Sequence, residues 1–163
     1  RYLDRIERKT ACLIAGCCKG GAMVCGASDE IIERMRLFGH YLGVAFQIID
    51  DVLDYQGTEA IIGKPAGNDL RQGMVTLPLI YALDAHNNGH LAHVRSIVED
   101  PTQHQDLVPL IVDWVNAGPA NDRALAEARR YAGKAQAILT SFPPSDDRQT
   151  LEEIVDFIVQ REH

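Results

Sequence analysis

The segment from His40 to Tyr55, HYLGVAFQIIDDVLDY, constrains the fold more than any other part of the chain. On an α-helix, its polar side chains share one arc of about 100°. They are His40, Gln47, Asp50, Asp51 and Asp54. Apolar side chains occupy about 200° on the opposite side, which is wider than the apolar stripe of a surface helix. The sequence therefore predicts a helix that is buried on most of its circumference and carries a narrow polar stripe.

Helical patterns dominate the rest of the chain, and no useful length alternates with period two. Residues 1–26 form one helical segment, and Ser28 is a candidate N-cap for the long helix that ends near Gly57. Further helices are predicted at 76–86, 91–99, 105–117, 121–142 and 146–161, separated by Gly, Pro and Asn breaks. The predicted fold class is all-α.

Length and charge narrow the possible functions. The 163 residues are 46% hydrophobic and 24% charged, which is globular composition at the size of one domain. A formal net charge of −7 argues against general affinity for nucleic acid or an anionic membrane. No apolar run approaches the roughly 18 residues of a transmembrane segment. A helical pattern that begins at Arg1, without an initiator Met, is what a piece of a longer protein would show.

The four cysteines all fall in the first helical segment: Cys12, Cys17, Cys18 and Cys25. Residues on one helix cannot build a disulfide framework, and none of them form a CxxC pair. We therefore expect a reducing compartment and a cytoplasmic location, with the thiols acting as small packing residues rather than metal ligands.

The acidic stripe has two interpretations. A solvated helix face is one, but such faces usually mix charge signs, and this stripe has carboxylates and no Lys or Arg. Asp50 and Asp54, one turn apart, would repel each other unless a cation lay between them. Clustered Asp oxygens suit Mg²⁺, which takes one or two carboxylates and shares its remaining positions with water and phosphate. This is how a net-acidic chain could bind a diphosphate.

The stretch 57–73 that follows is rich in Gly and contains Pro65, a composition that is typical of a loop. Within it, Lys64 is either an ordinary surface lysine or a cation held over a diphosphate by a glycine-hinged loop. The loop is not a Walker A loop, because GxxxxGK[ST] is absent.

Three blocks of the sequence resemble the C-terminal part of the trans-isoprenyl diphosphate synthases, and within that family the medium- to long-chain polyprenyl diphosphate synthases. The blocks are YLDRIERKTACL at 2–13, GVAFQIIDDVLDY at 43–55 and GKPAGNDLRQGMVTLPLIYAL at 63–83. The second block resembles the second aspartate-rich motif of the family. The resemblance implies an isoprenoid synthase-type helical bundle, of which residues 1–163 would be the C-terminal portion.

The resemblance also implies roles for individual residues. Asp50 and Asp54 would ligate Mg²⁺, and Asp51 would support that site. The groups that would contact the allylic diphosphate are Lys9, Thr10, Gln47 and Lys64, and the catalytic set would be Lys9, Asp50 and Lys64. The family reaction ionises an allylic diphosphate, and the double bond of isopentenyl diphosphate attacks the resulting cation with loss of a proton.

Two departures from the family pattern matter. Met74 and Val75 stand where many short-chain members carry Lys before Thr-Leu-Pro, which is closer to the longer-chain members. The first aspartate-rich motif is missing and would lie upstream of Arg1. We therefore expect the C-terminal portion of a synthase, with negligible turnover alone, whose partners are the N-terminal portion and a second subunit in a homo- or heterodimer.

Two other classes remain open from the sequence. A non-catalytic subunit or scaffold of a heteromeric prenyl synthase would keep the fold without the chemistry. A class I terpene cyclase shares the diphosphate chemistry, but it would normally show an NSE-type metal motif in place of Asp50, Asp51 and Asp54. Diphosphate binding that requires Mg²⁺ and Asp50 distinguishes a retained half-site from a scaffold.

Overall fold

The computed structural model describes residues 2–56, 66–85 and 89–161, and every regular element within them is helical. This confirms the all-α prediction. The helices are α1 (Tyr2–Ile6), α2 (Cys12–Val24), α3 (Asp29–Gln56), α4 (Asn68–Arg71), α5 (Leu77–Ala85), α6 (His90–Glu99), α7 (Val108–Ala117), α8 (Ala120–Leu139) and α9 (Asp146–Gln160). A π-helical turn (Glu7–Ala11) joins α1 to α2, and a 3-10 turn (Gln105–Leu107) precedes α7.

The chain divides into two compact units. The first contains residues 1–49 and 127–162, and the second contains residues 50–126. No helix in the described ranges combines the length and the hydropathy needed to cross a membrane.

The long helix α3 starts and is buried as the sequence predicts. The Ser28 hydroxyl accepts a hydrogen bond from the Ile31 amide at 3.4 Å, and Asp29 and Glu30 occupy the first turn, where the helix dipole favours acidic groups. Its buried apolar side chains are Phe38, Leu42, Val44, Ala45, Ile48, Ile49, Val52 and Tyr55. Together with the buried Gly39, Gly43, Gln47 and Asp51, they cover most of the circumference of this part of the helix.

In the first unit, α3 approaches the α1–α2 segment very closely. A Cβ added to Gly43 would lie 2.6 Å from the Ala11 Cα, and one added to Gly39 would lie 2.7 Å from the Ile14 carbonyl oxygen. Contacts this short leave no room for a side chain. The two glycines thus permit the backbones to pack against each other directly.

The second unit has its own apolar core. This core contains Tyr55, Leu70, Leu79, Ala82, Val94, Ile97, Val108, Ile111, Val112, Val115 and Ala120. The Asn116 side chain donates a hydrogen bond to the Tyr55 carbonyl at 2.8 Å, and Asn121 donates to the Asn116 amide oxygen at 2.8 Å. These two bonds tie the C-terminal end of α3 to α7 and to the start of α8.

The structure differs from the sequence prediction in the stretch read as a loop. Residues 68–71 form the short helix α4, which is too short to show a hydrophobic period. Gly67 precedes it with a φ of +73°, a conformation that favours glycine. The other predicted helices begin and end within a few residues of their observed limits.

Candidate functional site

The acidic stripe lies on the last turns of α3, and the structure separates its three carboxylates by their environment. Asp50 is exposed, Asp51 is only 2% exposed, and Asp54 is half-buried. The sequence places all three on one helical arc, but their accessibility to an ion differs. Asp50 is therefore the member best placed to reach a ligand from solution.

Asp54 is bound to the backbone of α4 and the residue before it. Its Oδ1 accepts a hydrogen bond from the Asn68 amide and its Oδ2 accepts one from the Asp69 amide, both at 3.1 Å. Its carbonyl oxygen accepts a third from the Gly67 amide at 2.7 Å. Three successive N–H groups, which begin a helix and lack intrahelical partners, are satisfied by this one residue.

The environment of Asp54 raises the pKa of its carboxyl group to about 6. Burial is the largest cause, because it penalises the charged form, and the Asp69 and Asp51 carboxylates raise it further. The hydrogen bonds from the Asp69 and Asn68 amides act in the opposite direction. A nearby cation would favour the ionised form of this carboxyl group.

The helix α4 is also fixed on its other side. A Cβ on Gly67 would lie 2.6 Å from Val112 Cγ2, so this position packs directly against α7. The Arg71 guanidinium donates a hydrogen bond to Gln105 Oε1 at 3.1 Å, and the Gln105 amide donates back to the Arg71 carbonyl at 2.9 Å. The short helix is thus held between the end of α3 and the 101–107 segment.

Two of the residues proposed for diphosphate binding meet in the first unit. The Thr10 hydroxyl donates a hydrogen bond to Gln47 Oε1 at 2.7 Å, although 37 positions separate them in the sequence. Gln47 is buried, Thr10 is half-buried and Lys9 is exposed. Lys9 and Thr10 belong to the π-helical turn, a rare geometry that is frequent at functional sites.

The donor set fits Mg²⁺ in its chemistry but does not complete a site. Asp50, Asp51 and Asp54 offer the hard carboxylate oxygens that Mg²⁺ prefers. Across the described residues, however, no three His, Cys, Asp or Glu side chains converge where a metal ion could sit. A Mg²⁺ ion needs only one or two carboxylates when phosphate and water supply its other ligands. The residues therefore fit an ion that arrives with a diphosphate.

Of the other predicted site residues, Lys64 lies outside the described residues. Sequence reasoning missed the amides of residues 67–69 and the side chain of Gln105. The Gly-Asn-Asp run at 67–69 was a usable signal for the amides, because Gly, Asn and Asp commonly begin helices. Gln105 had no such signal, since its role depends on a contact with Arg71 across 34 positions.

Comparison with known proteins gives the family. The polyprenyl synthetase family matches residues 1–115. The chain is 39% identical over 164 residues to heptaprenyl diphosphate synthase component 2 of Geobacillus stearothermophilus, which covers 99% of this chain and 49% of the relative. It is 34% identical to the nonaprenyl diphosphate synthase of Mycobacterium tuberculosis, over 99% of this chain and 48% of the relative. The chain therefore belongs to the polyprenyl synthetase family, whose members are prenyltransferases.

Solved structures agree with this assignment. A polyprenyl synthase from Caulobacter crescentus, crystallised with calcium and isoprenyl diphosphate, matches with a TM-score of 0.90 and 36% identity, over 99% of this chain and 49% of that one. The heptaprenyl diphosphate synthase of Staphylococcus aureus matches with a TM-score of 0.93 and 30% identity, over 99% of this chain and 50% of that one. The expected isoprenoid synthase-type helical fold is confirmed. The chain spans about half the length of the relatives it matches.

Proposed function

We propose that this chain carries the residues that bind the allylic diphosphate in a trans-polyprenyl diphosphate synthase. The observation that carries the proposal is the acidic turn of α3, where an exposed Asp50 is followed one turn later by Asp54, held by two backbone amides. Family membership supports the chemistry. In the proposed reaction, the C–O bond of the allylic diphosphate breaks and pyrophosphate leaves. A C–C bond to isopentenyl diphosphate forms and a proton is lost.

The proposed ligands of Mg²⁺ are Asp50, Asp51 and Asp54. Asp50 would be the most accessible ligand because it is exposed, and the buried Asp51 would support the site. When bound, the ion would stabilise the negative charge that develops on the departing diphosphate. Lys9 and Lys64 would add positive charge to the same group. To hydrogen-bond a phosphate oxygen, which only accepts, the Thr10 hydroxyl would turn its single proton from Gln47 Oε1 to the diphosphate.

A further polypeptide segment is part of the proposal. The chain contains only one aspartate-rich motif and spans about half of its relatives, so a second motif would come from an N-terminal portion or from another subunit. Two relatives carry the name heptaprenyl diphosphate synthase component 2, which supports a heteromeric assembly, and a homodimer is the alternative. Four free thiols support a reducing compartment such as the cytoplasm.

The central test measures binding of inorganic pyrophosphate by calorimetry, with and without Mg²⁺. We expect binding only when Mg²⁺ is present, and loss of that binding in Asp50→Asn. The matched control is Asp113→Asn, which removes another exposed carboxylate, on α7, and should bind like the unaltered chain. Binding that is indifferent to Asp50 would favour a non-catalytic subunit or scaffold instead.

A second test addresses turnover. Chain elongation from farnesyl diphosphate and radiolabelled isopentenyl diphosphate should be negligible with this chain alone. It should appear when a segment that carries a first aspartate-rich motif is added. Robust elongation by the isolated chain would show that no such segment is needed.

A further inference from the structure

Two histidines at the start of α6 lie outside the acidic stripe and take no part in the proposed reaction. His90 is the first residue of α6 and His93 follows three positions later, so both side chains leave the same face of the helix. Both residues are half-buried. Their ring centroids lie 6.1 Å apart, and the ring planes are inclined by 54°. Two imidazoles, the commonest metal ligands in proteins, are thus neighbours on one helix.

One nitrogen of each ring is enclosed by protein and has no partner. The Nδ1 atoms of His90 and His93 are buried, and neither has a hydrogen-bond partner among the described residues. A buried polar atom without a partner costs free energy, because it has lost its contact with water and gained nothing in exchange. The two rings therefore have unused bonding capacity at neighbouring positions, which one shared ligand could use.

The indole of Trp114, on α7, holds one of the two rings in place. The His90 and Trp114 rings are stacked, with their centroids 4.6 Å apart and their planes inclined by 25°. This contact restricts rotation of the His90 side chain, so less conformational freedom is lost when a ligand binds to it. Trp114 is also the one tryptophan of the chain, so tryptophan fluorescence reports on this position alone.

We propose that His90 and His93 form a binding site for a divalent transition-metal ion such as Zn²⁺ or Ni²⁺. The ion would take one ring nitrogen from each histidine and keep water molecules as its other ligands. Imidazole suits these ions, whereas Mg²⁺ prefers oxygen ligands. Water completes the coordination shell because, in the part of the chain that the structure describes, no third His, Cys, Asp or Glu converges with the pair.

The distance between the rings is compatible with a shared ion. Two imidazoles that bind one ion at about 2.1 Å place their ring centroids roughly 4.5–6.5 Å apart, depending on the angle at the metal. The observed separation lies in the upper part of this range. A small rotation of His93 would bring its nitrogen closer, while His90 keeps its place against Trp114. The proposal rests on these two rings and is independent of the proposed prenyltransferase function.

The experiment titrates the full chain with Ni²⁺ and follows the fluorescence of Trp114. An open-shell ion bound to the imidazole that stacks on the indole should quench this fluorescence. Excess Zn²⁺, which has a filled d shell, should displace Ni²⁺ and restore the signal. Millimolar Mg²⁺ should do neither. Ni²⁺ is the probe because, unlike Cu²⁺, it does not oxidise the four free thiols of α2 and the residue after it.

The variants remove one ligand at a time. His93→Ala leaves the stack of His90 on Trp114 in place, and His90→Phe keeps a ring over the indole but removes the nitrogens. Either change should weaken Ni²⁺ binding by at least about 10-fold, since losing a ligand should cost no less than losing a group that only orients one. His104→Ala is the matched control, because it removes another half-buried histidine and should bind like the unaltered chain.

Background and folding are controlled within the same set. The thiols are present in every variant, so any Ni²⁺ that they bind contributes equally throughout. Circular dichroism verifies that each variant keeps its helical content. A measurement on the unaltered chain adds an independent arm: in nitrogen-15 nuclear magnetic resonance spectra, Zn²⁺ should shift the ring nitrogens of His90 and His93 and leave those of His104 in place.

Several outcomes would overturn the proposal. Absence of quenching in the unaltered chain, or equal quenching in the unaltered chain and His93→Ala, would show that the pair does not bind the ion. Ring nitrogens that Zn²⁺ leaves unshifted would show the same without any substitution. Asp50→Asn should bind Ni²⁺ like the unaltered chain. Pyrophosphate binding therefore tests the proposed function, whereas Ni²⁺ quenching tests this site, and either can fail without the other.

Discussion

The helices α2 and α3 are both rich in apolar residues and both contain glycine, yet their surfaces are covered to very different extents. In α3, Phe38 is 1% exposed, and Gly39 and Gly43 lie directly against the backbone of the α1–α2 segment. In α2, Ala15 is the one buried residue, Leu13 is 67% exposed and Val24 is 90% exposed. The comparison shows that an apolar composition alone does not determine burial. A helix is buried only where other segments of the chain pack against it.

The outer side of α2 is consistent with the proposed need for a further segment. Among the described residues, a Cβ built on Gly16, Gly20 or Gly21 would meet nothing within 4 Å. Contiguous exposed apolar surface commonly marks a place of association. The glycines of α3 and α2 are therefore the same residue type in two situations, one enclosed and one open, and substitutions can test this contrast directly.

The largest effect should come from truncating the enclosed side chain of α3. We expect Phe38→Ala to lower the free energy of unfolding by about 3–5 kcal/mol, because it removes a fully buried ring and leaves a cavity. Leu13→Ala is the matched control on α2 and should change it by less than about 0.5 kcal/mol. Urea unfolding followed by circular dichroism measures both. Similar losses from the two variants would contradict the contrast.

The next effect should come from adding a methyl group where the helices touch. In Gly43→Ala, the new Cβ would lie 2.6 Å from the Ala11 Cα, which is backbone and cannot move aside. Although Ala is the better helix former, we expect a net loss of about 1–3 kcal/mol from overpacking. The same urea experiment measures this loss, and a gain in stability would show that the two helices separate easily.

Particular residues show how much of this molecule was predictable from the sequence. The polar arc of α3, its N-cap at Ser28 and its broad burial follow from local spacing, and the structure confirms them. The close approach at Gly43 and the bond between Thr10 and Gln47 depend on positions more than thirty residues apart, so no local pattern encodes them. A single sequence shows which residues could meet, but not which ones do.

The candidate site was predictable to a similar extent. The sequence identified Asp50, Asp51 and Asp54 as one acidic set, but their different accessibility depends on what covers each side chain. The π-helical turn that holds Lys9 and Thr10 was not predicted, because it inserts one residue into a helix without a distinctive composition. The metal and diphosphate roles of these residues stay predictions until the binding experiments are done.

The third effect should be a small gain at an open glycine. In Gly20→Ala, the added Cβ meets none of the residues that the structure describes within 4 Å, so the usual advantage of Ala over Gly inside a helix should appear without a steric cost. We expect the free energy of unfolding to rise by about 0.5–1 kcal/mol. Together with Gly43→Ala, the same substitution should thus have opposite signs on the two helices. A loss at Gly20 would indicate that this side of α2 is covered in solution.

The smallest effect is kinetic and concerns two adjacent thiols on α2. Cys17 is exposed, whereas Cys18 is half-buried beside Gly39, where an added Cβ would lie 2.8 Å from its Sγ. Burial, with the neighbouring Cys17 thiol, raises the pKa of Cys18. Because the thiolate is the reactive form, a raised pKa leaves less of it at pH 8. We expect Cys18 to react with iodoacetamide more slowly than Cys17.

Single-cysteine variants that retain only Cys17 or Cys18 make this comparison possible. Gly39→Ala should accelerate labelling of Cys18, because the added methyl group would clash with its Sγ and with the backbone of Ile14 and Ala15, and so open this contact. Cys17 is already exposed and should change less. Raising the pH should narrow the difference between the two thiols, since the raised pKa of Cys18 moves its gain of thiolate to higher pH. Equal labelling rates for both thiols at every pH tested would mean that α2 separates from α3 faster than the reagent reacts. The enclosed side of α2 would then be as accessible as its open side.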